Sequence, residues 1–180
     1  MGCMSVLQII TAPNDFLKQK SLPITAVDDK IKALASDMLE TMYAERGIGL
    51  SAVQVGYHLR LIVIDVEHSR KKDGTIYNQK QYIMINPVIT SHSNEINVFE
   101  EGCLSFPEQH ITIKRPKIIN VDYTDINNNP ESLTADGIFA TCIQHEIDHL
   151  NGITITNYVS HFKEELILKR LKKMRDRGDI

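Results

Sequence analysis

Gln144-His145-Glu146-Ile147-Asp148-His149-Leu150-Asn151-Gly152 is the stretch on which the reading of this chain turns. On a helix, His145 and His149 leave the same face one turn apart, so two neutral imidazoles can close on one metal ion. Glu146 lies off that stripe, yet its carboxylate can reach a metal-bound water. The pattern therefore offers two ligands and one acid/base group that is not a ligand. Ile138–Leu150 is the expected metal helix, with Ile138, Cys142 and Ile143 apolar around the histidines. Because H-E-x-x-H also arises in ordinary polar helices, the remaining ligand has to be sought elsewhere in the chain.

A catalytic site of this type wants a third protein ligand and one open position. Cys103, Cys142, His110 and the carboxylates are the candidates. Cys142 shares nearly the same helical stripe but sits roughly 7 Å along the axis from the midpoint of the two histidines, too far for a short thiolate. It reads as pocket wall or core. Cys103, in Glu100-Glu101-Gly102-Cys103-Leu104-Ser105-Phe106-Pro107, lies between turns that can bring a thiolate from another direction, and it is preferred. A third histidine three residues after Gly152 is ruled out, since Ile155 occupies that place. A glutamate ligand from downstream, Glu164 or Glu165, stays open as a peptidase-like alternative. A closed structural metal site with four protein ligands is the non-catalytic alternative.

Upstream of the metal helix, turn signals separate short strand-like runs at Leu59–Val66, Tyr82–Ile89 (ended by Asn86-Pro87), Ile96–Phe99, Ile111–Ile113, Ile118–Tyr123 and Ser132–Ala135. Without helices between them, they argue for antiparallel pairing. Ile9–Ile24 reads as an irregular arm. A helix capped by Asp28 or Asp29 carries the stripe Ile31, Leu34, Met38, Leu39 and Met42, and Gly47 is expected to supply the left-handed residue past its end. Gly47–Gly56 reads as a loop whose glycines let backbone pass close to something, with Gln54 its one directional polar group. From Ser160 to Arg177 a helix sets Phe162, Leu166, Ile167, Leu171 and Met174 on one side and a basic face on the other. The expected fold is α+β: a single domain over 1–180, with antiparallel β-sheets around a central metal-binding helix, an N-terminal helix and a C-terminal amphipathic helix.

Composition narrows the classes. A net charge of −3 gives no nucleic-acid or membrane signal, and no apolar run approaches the roughly 18 residues of a membrane span. The start has no signal-peptide core, and Met1–Cys3 reads as an extension ahead of a start at Met4. Three cysteines, an odd number, argue against a disulfide framework and for a reducing, cytoplasmic setting that keeps thiols available as ligands.

Taken together, Gly47–Gln54, Glu101–Ser105 and Gln144–Gly152 resemble peptide deformylase along nearly the whole chain. Glu-Gly-Cys-Leu-Ser and Gln-His-Glu-x-Asp-His-Leu-x-Gly are complete. The first motif departs, with Ser51 and Val53 where the family usually has alanine and proline, and His110 stands where an arginine is expected near the substrate. The resemblance implies removal of the formyl group from the N-terminal formyl-methionine of nascent polypeptides. Cys103, His145 and His149 would hold one divalent metal, ferrous iron in the cell, with zinc, nickel or cobalt able to substitute. Hydroxide formed on that metal would attack the formyl carbon, with Glu146 taking and returning the proton. The Gln54 amide and the Leu104 backbone N–H would steady the oxyanion. Gly49 would let the substrate backbone lie alongside, and Ile48, Ile138, Cys142 and His145 would line the methionine pocket. The basic final helix would fit ribosome contact, with neither a membrane nor a specific nucleic-acid sequence as partner.

Overall fold

The computed structural model describes residues 5–180; Met1–Met4, including Cys3 and the expected N-terminal extension, lie outside the described residues. The first long element, α1 (Asp29–Ala44), starts at Asp28, whose carboxylate accepts from the Ile31 N–H. Its stripe of Leu34, Ala35, Met38, Leu39 and Met42 is buried. The left-handed residue that ends it is Arg46 (φ 59°), not the expected Gly47. Gly47 is small for another reason: a Cβ there would stand 3.0 Å from Leu104 Cδ1, so the constraint is close approach rather than backbone angle.

The segment read as a loop after Gly47 instead forms β1 (Gly49–Ser51) and a 3-10 turn over Ala52–Val55. β2 (Leu61–Ile64) follows, then a small ribbon of β3 (Ser69–Arg70) and β4 (Ile76–Tyr77). β5 (Tyr82–His92), β6 (Ile96–Cys103), β7 (Phe106–Pro116), β8 (Ile118–Thr124) and β9 (Pro130–Asp136) complete the strands. The main sheet has the order β1-β2-β5-β8-β9 with every pair antiparallel, and β6 and β7 form a separate hairpin.

Asn86-Pro87 does not end β5. The strand passes through it on a register shift between Ile85 and Val88, with Asn86 at φ 52°. The Asn86 side chain accepts from Ile24 N–H at 2.8 Å and donates to Ile24 C=O at 2.7 Å. A residue that reads as a breaker is therefore a bulge that ties down the N-terminal arm.

Two helices sandwich the sheet, which explains why β2 is apolar at every position. Leu61 and Val63 face α1 with Met38 and Met42. Ile62 and Ile64 face α2 (Gly137–Leu150), meeting Ala140, Ile143, Ile147 and Leu150. The β6–β7 hairpin packs Phe106, Ile111 and Ile113 against Ile155 and against Ile167, Leu171 and Met174 of α3 (His161–Asp176). Phe162 and Leu166, expected on the packed side of α3, are 70% and 52% exposed. Only its C-terminal two-thirds meets the hairpin. No helix among the described residues is long and apolar enough to cross a membrane.

Candidate metal centre

α2 is buried along most of its length, and the Gln144 amide anchors it by donating to Pro116 C=O and Ala140 C=O, both at 3.0 Å. The helical period then aims His145 and His149 at one place, their rings 5.0 Å apart and at 72°. The third partner comes from the tip of the β6–β7 hairpin. Cys103 pairs in register with Phe106, leaving Leu104 and Ser105 as a two-residue turn that presents the thiol to α2. Cys103 Sγ lies 3.2 Å from His149 Nε2, and the ligating atoms of Cys103, His145 and His149 all fall within 4.8 Å of one another. Metal bonds of about 2.0–2.3 Å in a tetrahedron put donor atoms roughly 3.5 Å apart, so this set can close on one small divalent cation. Among the described residues it is the one such cluster of three or more His, Cys, Asp or Glu side chains. Cys142, His110, Glu164 and Glu165 lie outside it.

The imidazoles differ in their support. His145 Nδ1 is held by Glu101 Oε2 at 2.9 Å, which leaves Nε2 for the site. Glu101 is in turn gripped by Arg115 through two bonds of 2.7 and 3.0 Å. Arg115 also donates to Asp148 at 2.8 Å, and Tyr158 Oη donates to the same carboxylate at 2.6 Å. Burial works against the Glu101 anion, but His145 and Arg115 outweigh it and keep its pKa below the ordinary carboxylate value. His149 has no partner at its buried Nδ1, and burial holds it well below the usual histidine range, in the neutral form a ligand requires.

Glu146 is 3% exposed, and one carboxylate oxygen has no partner. Burial pushes its pKa up to about 7, with His145 and the nearby Ser51 hydroxyl pulling the other way. A carboxyl poised near neutrality can both accept and return a proton. Gln54 is buried, its Nε2 donating to Ser105 Oγ at 3.2 Å and lying 3.6 Å from Cys103 Sγ. These groups open on a cleft of about 540 Å³ that also takes in Ile48, Gly49, Leu104, His110, Ile138 and Cys142. At Gly49 a Cβ would come within 2.6 Å of both Cys142 Sγ and Glu146 Oε1, so only glycine fits there.

Of the site residues expected from the sequence, all but His149 line the cleft, and His149 joins Cys103 and His145 in the cluster behind it; the alternative ligands Glu164 and Glu165 do not line it. The support around His145 was not assigned from sequence. Glu101 and Asp148 stand inside the two motif strings without a role of their own. Arg115 had a visible signal: it is the one charge on the inward positions Ile111, Ile113 and Arg115 of β7. Tyr158 had none.

A family model described as polypeptide deformylase matches residues 6–165. A peptide deformylase of Brucella suis is 42% identical over 171 residues, covering 95% of this chain and 94% of the relative. A crystal structure of peptide deformylase from Ehrlichia chaffeensis superposes with a TM-score of 0.89 at 42% identity, over 98% of this chain and 100% of the other. A class I type b peptide deformylase of Acinetobacter baumannii, crystallised with Met-Ala-Ser bound, is similar at TM-score 0.78 and 29% identity, over 87% of this chain and 100% of the other.

Proposed function

The chain belongs to the polypeptide deformylase family, and on that footing we propose that Cys103, His145 and His149 hold its metal while Glu146, Gln54 and Leu104 carry the chemistry. It is a metal-dependent hydrolase that removes the formyl group from N-terminal formyl-methionine of nascent polypeptides. The observation that supports the residue roles best is the convergence of one thiol and two imidazoles within 4.8 Å, beside a buried carboxylate.

A divalent cation on those three ligands supplies Lewis acidity and brings the pKa of water toward neutrality. The protein supplies the rest. Glu146 accepts a proton from the attacking water and delivers it to the methionyl nitrogen as the C–N bond breaks, releasing formate and a free amine. Gln54 Nε2–H and Leu104 N–H donate to the formyl oxygen as it gains negative charge, each such donor being worth about 3–4 kcal/mol. Gly49 leaves room for the substrate backbone beside β1, and Ile48, Ile138 and Cys142 take the methionine side chain. The thiolate and two imidazoles accept several first-row divalent ions, and ferrous iron is the proposed ion in the cell, with zinc, nickel or cobalt as substitutes. The whole chain is proposed as one catalytic domain, acting in the cytoplasm where formylated chains are made.

Anaerobic incubation with formyl-Met-Ala-Ser, followed by formate assay, tests the roles. Glu146→Ala is expected to fold, keep its metal and lose about 10²- to 10⁴-fold in kcat, the usual worth of a general acid–base group. Wild-type turnover by that variant would remove Glu146 from the mechanism. We propose further that the basic face of α3, including Lys163, Lys169, Lys172 and Lys173, meets ribosomal RNA. A chain truncated after Tyr158 should lose salt-sensitive ribosome binding in co-sedimentation; undiminished binding would refute this contact.

A further inference from the structure

One polar side chain buried behind the cleft has no part in the roles above. Ser51, the last residue of β1, is fully buried, and its hydroxyl lies 2.9 Å from Gln54 Oε1. Its backbone N–H donates to the same oxygen, also at 2.9 Å. The far end of the amide is held as well, since Nε2 donates to Ser105 Oγ at 3.2 Å. An amide carries two acceptor lone pairs and two N–H hydrogens. Two donors therefore fill the oxygen, Ser105 takes one hydrogen, and the other is donated at 3.6 Å to Cys103 Sγ, at the cleft.

We propose that Ser51 is a positioning residue for deformylation, its hydroxyl fixing the orientation of the Gln54 amide and strengthening the Nε2–H that meets the oxyanion. A flipped amide would set its hydrogens against the Ser51 N–H, which can only donate, and would forfeit the bond that the hydroxyl donates to Oε1. Two donors on Oε1 also polarise the amide, and donor and acceptor bonds on one group reinforce each other. The backbone N–H alone supplies one of those bonds in any residue at this position. The second exists because position 51 is serine. The inference rests on the oxyanion role given to Gln54 and goes beyond it to a residue that never touches substrate.

The hydroxyl has a single hydrogen, and Glu146 stands near it as a rival acceptor, so the test must separate the two partners. Ser51→Ala, Gln54→Ala and the double variant are compared in anaerobic kinetics with formyl-Met-Ala-Ser. Side-chain amide ¹H–¹⁵N resonances of Gln54 are recorded in the metal-free and zinc-loaded proteins with and without Ser51→Ala. Expected is a kcat about 3- to 10-fold lower in Ser51→Ala, matching the loss of one neutral hydrogen bond, with KM unchanged and the Gln54 resonances displaced. In the Gln54→Ala background the Ser51 substitution should cost nothing further. An unchanged kcat, unmoved Gln54 resonances, or an equal loss in the Gln54→Ala background would each overturn the proposal, the last by showing that Ser51 acts through Glu146. If Gln54→Ala itself has full activity, the oxyanion role of Gln54 fails first and the inference falls with it.

Discussion

Gly49 shows how far one missing carbon can matter. Its α-hydrogen faces Cys142 and Glu146, and a methyl group would overlap both. Gly49→Ala must push either the thiol or the carboxylate aside, and the carboxylate is the proposed base. We expect a stability loss of about 1–3 kcal/mol from overpacking, and kcat/KM at least about 10-fold lower with both parameters affected, since misplacing a catalytic group by about 1 Å can cost 100-fold. Steady-state kinetics beside a melting curve checks this; an unaffected kcat/KM would mean that the cleft relaxes freely at this point. At this scale the sequence was highly legible. His145, Glu146 and His149 are fixed relative to one another by helical period alone, and Cys103 by the turns around it. Glu101 and Arg115 were not, because they meet across two strands of one hairpin out of direct register and reach α2 only in the tertiary fold. Arg115 stands opposite Asn97 in register, so even a correct strand pairing would not have matched it to Glu101.

Elements were legible where one period governs them, as in α1 and α2, and less so where tertiary contacts override local preference. β5 runs through Asn86-Pro87 because the Asn86 amide found both backbone partners at Ile24. β1 is too short for any period to register. Another such contact locks α1 to the segment after β2. Tyr43 Oη donates to Asp65 Oδ2 at 2.7 Å, and that buried carboxylate also collects the N–H groups of Glu67, His68 and Lys80 at 3.1, 2.9 and 3.0 Å. Burial and the neighbouring carboxylate push the Tyr43 pKa up to about 12. An unfolded tyrosine ionises near about 10, so above that pH the unfolded chain holds fewer protons than the native one. The contribution of Tyr43 is thus complete below about pH 10 and is lost as pH rises toward about 12. Urea midpoints of wild type and Tyr43→Phe should differ most at neutral pH and converge between pH about 10 and 12. A constant difference would show that the hydroxyl titrates alike in both states, its pKa not raised by folding.

At the scale of the molecule, the α+β class and the central helix followed from the motifs and the spacing of strands. The division of the strands into a five-stranded sheet and a separate hairpin did not. Nothing in β6 or β7 distinguishes them locally from the sheet strands, and their separation depends on packing against α3, more than 50 residues further along.

That division has a consequence for the folded chain as a mechanical object. Two ligands ride on a helix seated against the large sheet, and the third sits at the tip of a hairpin with its own small core. A bound ion is then a rivet through two bodies whose polar contacts across the seam are chiefly Arg115 with Asp148 and Glu101 with His145. Stripping it with a chelator should loosen the joint before it melts either part. Hydrogen exchange should quicken first in Glu101–Phe106 and along β6, while β2 and β5 keep their protection. Uniform acceleration across both bodies would mean that the ion braces the entire fold and not its seam.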